Sequence, residues 1–172
     1  MSSADEYATC TILSFTSSHY LQEPPIGEMS HDMYSITLQE HPEGQTKNVF
    51  KFNNKVETTL FTFNLVASSS ESVHGSVELD VSGINGISPD NVENIILYKD
   101  VDGNAEYTKD VDIFAGFGDF MISEKSNGSI HFDNLFLVIG ESPYVVIVDT
   151  HAIKSGKSMV VSLTGAQIYL NS

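Results

Sequence analysis

The chain has 172 residues, 41% of them hydrophobic, and a formal net charge of -15. That apolar share is enough for one packed domain and excludes disorder as a description of the whole. The eight basic residues are all lysines, against 23 acidic ones. This excludes the arginine-bearing cationic face that nucleic acid or anionic lipid requires, and leaves divalent cations as favoured partners, or solubility alone as the reason for the acidity.

The start, Met1 to Glu6, is polar and acidic, without the basic and apolar regions of a secretory signal. No apolar run reaches the ~18 residues of a membrane span, so no membrane span is expected. Tyr7 to Phe15 alternates, with Tyr7, Thr9, Thr11, Leu13 and Phe15 on one side and Ala8, Cys10 and Ile12 on the other, as a strand does. Cys10 is the one cysteine, so no intrachain disulfide can form, and its apolar run reads as a site for a buried, inert thiol. Thr16 to Asp32 is mostly polar and contains Pro24-Pro25 and Gly27, which resist both helix and central strand. The expected organisation is an arm and connector over 1–32 and a β body over 33–172. The arm's strand can pair within its own chain or insert into a neighbour's sheet edge, and both pairings stay open.

In the body the period is two almost throughout. Thr58 to Val66, Val73 to Val81, Val92 to Tyr98, Ser129 to Ile139, Tyr144 to Val148 and Met159 to Leu170 are rich in Val, Ile, Phe, Tyr and Thr. Gly83 to Gly86, Asp102 to Asn104, Gly140 to Pro143 and Lys154 to Gly156 separate the runs as turns, which predicts an all-β sandwich or barrel. Asn127-Gly128 is the best hairpin signal, because both residues tolerate positive φ. Ser88 and Pro89 predict a short helix over Pro89 to Glu93. Gly116-Phe117-Gly118 reads as a bend or bulge.

The densest oxygen cluster is Asp100, Asp102, Asn104 and Glu106, followed by Asp110 and Asp112. Oxygen ligands at alternate positions can converge on one ion as a loop curls, and hard oxygens suit calcium. The match to a helix-flanked calcium loop is incomplete, since glycine stands at the fourth position and no glutamate at the twelfth. A calcium site and a solvated acidic turn are both compatible with the pattern. The six histidines, His19, His31, His41, His74, His131 and His151, form no short metal-binding pair and read as ordinary surface or cleft residues. No nucleophile elbow or phosphate loop is present, and a carboxylate pair such as Glu141 and Asp149 is the one hydrolytic arrangement left to consider. No enzyme is expected. Asn127-Gly128-Ser129 is a formal glycosylation sequon.

Ile95 to Asn104, Phe132-Asp133-Asn134-Leu135 and Tyr144 to Asp149, followed by a glycine and a long last strand, resemble a β-sandwich pattern of prokaryotic surface-layer and filament proteins. Tyr7-Ala8-Thr9, with Val77-Glu78-Leu79-Asp80 ahead of Val92-Glu93-Asn94-Ile95, resembles the archaeal cannula-type extracellular tube proteins, themselves similar to biomatrix fibre proteins of the TasA/camelysin kind. The resemblance implies a jelly-roll-like β-sandwich, polymerisation with itself outside the cell or at its surface, an N-terminal strand donated to the next subunit, and calcium at acidic sites. Carried over, Tyr7, Ala8, Cys10, Ile12, Leu13 and Phe15 would make the donated segment, and Asp100, Asp102 and Asn104 would hold calcium. The other function considered is a monomeric β-sandwich module binding carbohydrate or another cell-surface ligand; the lack of Trp removes the favoured sugar platform.

Overall fold

A computed structural model describes residues 8–13, 17–20, 35–45, 49–50, 56–67, 72–124, 126–138, 141–154 and 156–169. They form eleven strands: β1 (Ala8–Leu13), β2 (Ser17–Tyr20), β3 (Ser35–Gln39), β4 (Val49–Phe50), β5 (Val56–Ala67), β6 (Ser72–Asn85), β7 (Val92–Lys99), β8 (Ile113–Glu124), β9 (Asn127–Val138), β10 (Glu141–Thr150) and β11 (Ser158–Tyr169). One 3-10 turn, Pro89–Asn91, precedes β7. It is shorter than the helix expected, because Val92 already enters the ladder; Asn91 Oδ1 accepts from both the backbone N and the hydroxyl of Ser88.

The strands make one continuous sheet in the order β2-β3-β5-β10-β7-β8-β9-β6-β11-β1-β4. Cα atoms of β2 and β11 approach within 8 Å, so the sheet curls back on itself. The all-β sandwich character expected from the period of two is therefore present. One core fills the interior, with Phe63, Leu65, Val77, Leu79, Ile95, Leu97, Ile130, Phe132, Tyr144, Val146 and Val161 among its members. Phe63 stacks on Tyr144 with ring centroids 5.4 Å apart.

Two features of this wall position the site described below. First, β5 is buried on both sides at Thr62 and Asn64. The Gln45 side chain takes the ladder position beside Thr62: its Oε1 accepts from Thr62 N at 3.0 Å and its Nε2 donates to Thr62 O. This side-chain mimic of a strand ends the β3–β5 ladder and seats the turn at His41 to Gly44 on the sheet. Second, β7 and β8 slip by one residue between Leu97 and Tyr98, so that Ala115 is the extra residue of a bulge. Beyond it, Gly116 and Gly118 face inward. A Cβ on Gly118 would lie 2.5 Å from the Phe132 ring, and one on Gly116 would run into the Leu135 side chain. The bend or bulge expected at Gly116-Phe117-Gly118 is thus a bulge one residue earlier, at Ala115, followed by two glycines that make room for core side chains.

The expected β8–β9 hairpin exists, but its turn is not Asn127-Gly128. Glu124 pairs with Asn127, so Asn127 already belongs to the ladder and the chain reverses ahead of it. Gly128 is instead a strand residue opposite Ile122, where a Cβ would meet the Met121 carbonyl oxygen. Close backbone approach, not positive φ, is what requires glycine there.

β1 pairs with β11 in parallel, Thr9 opposite Ser158 through Leu13 opposite Ser162, and with β4 antiparallel. β2 pairs with β3 over Ser17 to Tyr20, inside the stretch expected to be connector. Tyr7, Phe15 and the expected boundary at 32/33 lie outside the described residues. So do the side chains of Ala8, Cys10, Ile12 and Leu13.

Candidate functional site

The loop from Asp100 to Asp112 joins β7 to β8 and is built from local hydrogen bonds. Asp100 is 1% exposed, and both of its oxygens are engaged. Oδ1 accepts from Gly103 N at 2.7 Å, and Oδ2 accepts from Ala105 N at 2.8 Å. A third donor comes from far away in the chain: His41 Nε2 lies 3.0 Å from Asp100 Oδ2, with both side chains fully buried. His41 Nδ1 accepts from Glu43 N at 3.2 Å, which assigns the ring proton to Nε2 and makes His41 the donor to Asp100. This corrects the expectation of six ordinary histidines: His41 is a buried strut that ties the turn after β3 to the acidic loop.

Asp112 closes the other end of the loop. Its Oδ1 accepts from Val101 N at 2.9 Å and its Oδ2 from Thr108 N at 2.7 Å. Asn104 bridges within the loop, its Nδ2 donating to Asp102 Oδ2 at 3.1 Å and to Thr108 Oγ1 at 2.9 Å, while its Oδ1 accepts from Glu106 N at 2.6 Å. Ala105 adopts φ 61 and Asp110 φ 66. For Ala105, buried and without a polar side chain, the left-handed backbone costs about 1–2 kcal/mol, offset by the Asp100 carboxylate that holds its N–H.

Of the six expected metal ligands, the structure brings together three. One carboxylate oxygen each of Asp100, Asp102 and Asp112 lies within 4.8 Å of the others. Asn104 hydrogen-bonds Asp102 at the edge of this trio, whereas Glu106 and Asp110 are exposed residues that do not belong to it. The donors are hard oxygens, as calcium requires; Asp100 Oδ2 already accepts from both Ala105 N and His41 Nε2, whereas Asp100 Oδ1 and the two Asp112 oxygens each accept one hydrogen bond and retain a lone pair. The hydrogen bonds within the loop form an Asx network that is compatible with both readings the sequence allowed, a calcium site and an acidic turn.

Against this loop stands a row of aromatic rings that sequence reasoning did not find. Tyr107 and Tyr98 have ring centroids 4.4 Å apart, Tyr98 and Phe114 6.0 Å, and Phe114 and Phe117 4.9 Å. Phe117 is 70% exposed and Phe114 49%. The signal available was the alternation Gly116-Phe117-Gly118: with the inward positions lacking side chains, the large residue between them has to point outward.

Burial, then the hydrogen bond with Tyr107 and the charges nearby, push the Tyr98 hydroxyl up from 10.0 to about 12. A raised value means that the folded state holds the proton more tightly. The stabilisation is complete below pH 10.0 and is lost as the pH rises through about 12. Relative to Tyr98→Phe, the wild type should lose on the order of 1–2 kcal/mol across this window, the solvent near the ring reducing the full linkage value. Urea midpoints measured along the two pH series check this; parallel curves would refute it.

The remaining carboxylate arrangement considered for hydrolysis does not assemble. Glu141 and Asp149 sit at opposite ends of β10, about 26 Å apart along the strand, well beyond the separation a glycosidase pair needs. Asp149 instead accepts from Asn94 Nδ2 at 2.7 Å. No helix among the described residues is long and apolar enough to cross a membrane.

No protein-family profile, curated protein or solved structure matches the chain.

Proposed function

We propose that this chain is a self-assembling extracellular structural protein, a jelly-roll-like sandwich that forms filaments or tubes by exchanging its N-terminal strand, with calcium joining at the acidic loop. The observation that carries the reading is the place of β1. It is six residues long, lies next to the end of the ladder, and makes with β11 the one parallel pairing among the described strands. An identical strand from a neighbour can make the same ladder, so exchange conserves every backbone bond while joining two copies. The β11 edge left behind is a template that needs covering. At a net charge of -15 copies repel one another, and a cation shared among carboxylates such as those of Asp100, Asp102 and Asp112 lowers that repulsion. The resemblance to cannula-type proteins points the same way. The test is to add calcium to the purified chain and image it by negative stain, then repeat after deleting Met1 to Phe15. Filaments or tubes that need calcium and vanish with the deletion are expected. No polymer at any calcium level overturns the reading, and assembly that survives the deletion overturns strand exchange alone.

A second reading rests on the aromatic row. Exposed rings beside carboxylate and amide groups suit a monomeric module that stacks sugar rings and hydrogen-bonds their hydroxyls. Binding of a soluble oligosaccharide, lost in Phe117→Ser and indifferent to residues 1–15, would favour it.

A further inference from the structure

Strand register brings onto one face of the sheet two rows of side chains that lie far apart in the sequence. On β10 and β7 the core takes Val146, Val148, Ile95 and Leu97, and on β8 Gly116 and Gly118 face it. The residues between them point outward, and their pairings align them across the strands. Tyr98 stands opposite Phe114 and Ile96 opposite Phe117, the bulge at Ala115 keeping both phenylalanines on this face. Further along β10, Asp149 stands opposite Glu57 of β5 on one side and Glu93 of β7 on the other. Asp119 follows Phe117 by two residues on β8 and continues this second row. The strands β5, β10, β7 and β8 are consecutive in the sheet, so the four carboxylates span about 14 Å and lie about 7 Å from the Ile96 and Phe117 row. The rows are in electrostatic reach of each other: after burial and Tyr107, the Glu57 carboxylate helps to hold the proton on Tyr98.

Carboxylates set directly opposite one another repel, so the row favours positive charge beside it. Among the described residues the one trio of such groups within 4.8 Å is that of the loop. The transverse row is instead spread along the strands, which suits several separate cationic side chains better than one metal ion. Beside it Phe117, 70% exposed, and Phe114, 49%, offer their rings to the same occupant. A metal ion uses the carboxylates and leaves the rings in water; a neutral sugar uses the rings and leaves the repulsion. The guanidinium group uses both, because it stacks on aromatic rings and pairs with a carboxylate through two parallel hydrogen bonds.

We propose that this outer face of β10, β7 and β8 docks an arginine-rich segment of a different protein. Its guanidinium groups lie on the Glu57, Asp149, Glu93 and Asp119 row, and one of them stacks on Phe117. A second copy is not the occupant, because this chain contains no arginine. Small ligands are held in concave pockets, whereas an open strand face with exposed rings has the form of a protein interface. The docking goes beyond the assembly reading and uses neither β1 nor the acidic loop.

The test uses the full chain with chelator present and follows labelled hexa-arginine and hexa-lysine by fluorescence anisotropy at physiological salt. Hexa-arginine should bind about tenfold more tightly than hexa-lysine. Phe117→Ser removes a ring that stands mostly in solvent, so the fold is kept. It should lower the hexa-arginine affinity about tenfold, as loss of a central aromatic contact does, and erase the preference. Asp119→Asn should weaken both peptides about threefold, while Glu124→Gln, which removes the same charge at the other end of β8, should leave binding unchanged. Equal affinities for the two peptides, or equal effects of Asp119→Asn and Glu124→Gln, would mean that overall acidity attracts the peptides, and would overturn the docking face. Binding that Phe117→Ser leaves intact, or no binding at all, would overturn it too. A neutral oligosaccharide that binds through Phe117 where hexa-arginine does not would overturn it in favour of the sugar-binding reading.

Discussion

Asp100→Ala should lower the unfolding free energy by about 3–5 kcal/mol, measured by urea denaturation with chelator present. The carboxylate is 1% exposed and serves three donors, Gly103 N, Ala105 N and His41 Nε2. Truncation leaves all three without a partner, and each orphaned buried donor costs about 1–3 kcal/mol. The loss is compounded at Ala105, whose left-handed backbone at φ 61 is held by the same oxygen as the imidazole. Asp100→Asn should cost less, because an amide oxygen can still accept from one side. A double-mutant cycle with His41→Ala should show strong coupling, since the two residues touch each other and share the loop. The outcome separates two roles. A carboxylate that acts only as a calcium ligand leaves the ion-free chain as stable as before, and even gains from reduced repulsion within the acidic trio. A carboxylate that builds the loop destabilises the ion-free chain. If Asp100→Ala is neutral in chelator, the structural role assigned here is wrong.

Gly118→Ala is the second large effect, at about 1–3 kcal/mol, with Gly116→Ala acting in the same direction. The backbone at Gly118 needs no special φ, so the cost comes from packing alone. A Cβ there would lie 2.5 Å from Phe132 Cε1 and 2.9 Å from two more ring atoms. Phe132 is fully buried and cannot swing away without opening the core. Gly103→Ala is the control, because its Cβ would meet nothing within 4 Å while its φ is 71. That variant should lose only the backbone term, about 1 kcal/mol, and no change at a second site should restore it. In Gly118→Ala, by contrast, Phe132→Leu should recover part of the loss by vacating the ring's edge. Thermal or urea melts of the four chains decide it. Equal costs for Gly118→Ala and Gly103→Ala, with no rescue, would show that the glycines of β8 are not there for space.

The effect matters for function as well as for stability. With Gly116 and Gly118 facing inward, Leu135 and Phe132 press against bare backbone, and Phe117 between them is turned outward. The glycines thus couple a tight core to an exposed aromatic face. Their substitution should disturb the surface of β8 together with the interior.

How much of this was legible in the sequence follows the range of the interactions involved. The strands were legible because alternation is a local property, set by a pleat that sends neighbouring side chains to opposite faces. The acidic loop was legible for the same reason. Asp100, Asp102 and Asp112 lie within thirteen consecutive residues, and a curled loop has to bring some of their oxygens together. What sequence spacing could not supply was which of Glu106, Asp110 and Asp112 turns inward, because the answer depends on which backbone amides claim each carboxylate. The hairpin of β8 and β9 was legible as a hairpin, but its turn was misplaced, since glycine answers equally to positive φ and to close backbone approach, and here the second decided.

The sequence by itself determined an all-β chain, its acidity, and one loop dense in oxygen donors. Tertiary structure alone decided that His41 reaches Asp100 across 59 residues, that β1 runs parallel to β11, and that Phe117 faces solvent. Each of these depends on sheet order and register, which are selected by the packing of the whole core and leave no local mark on the residues they bring together.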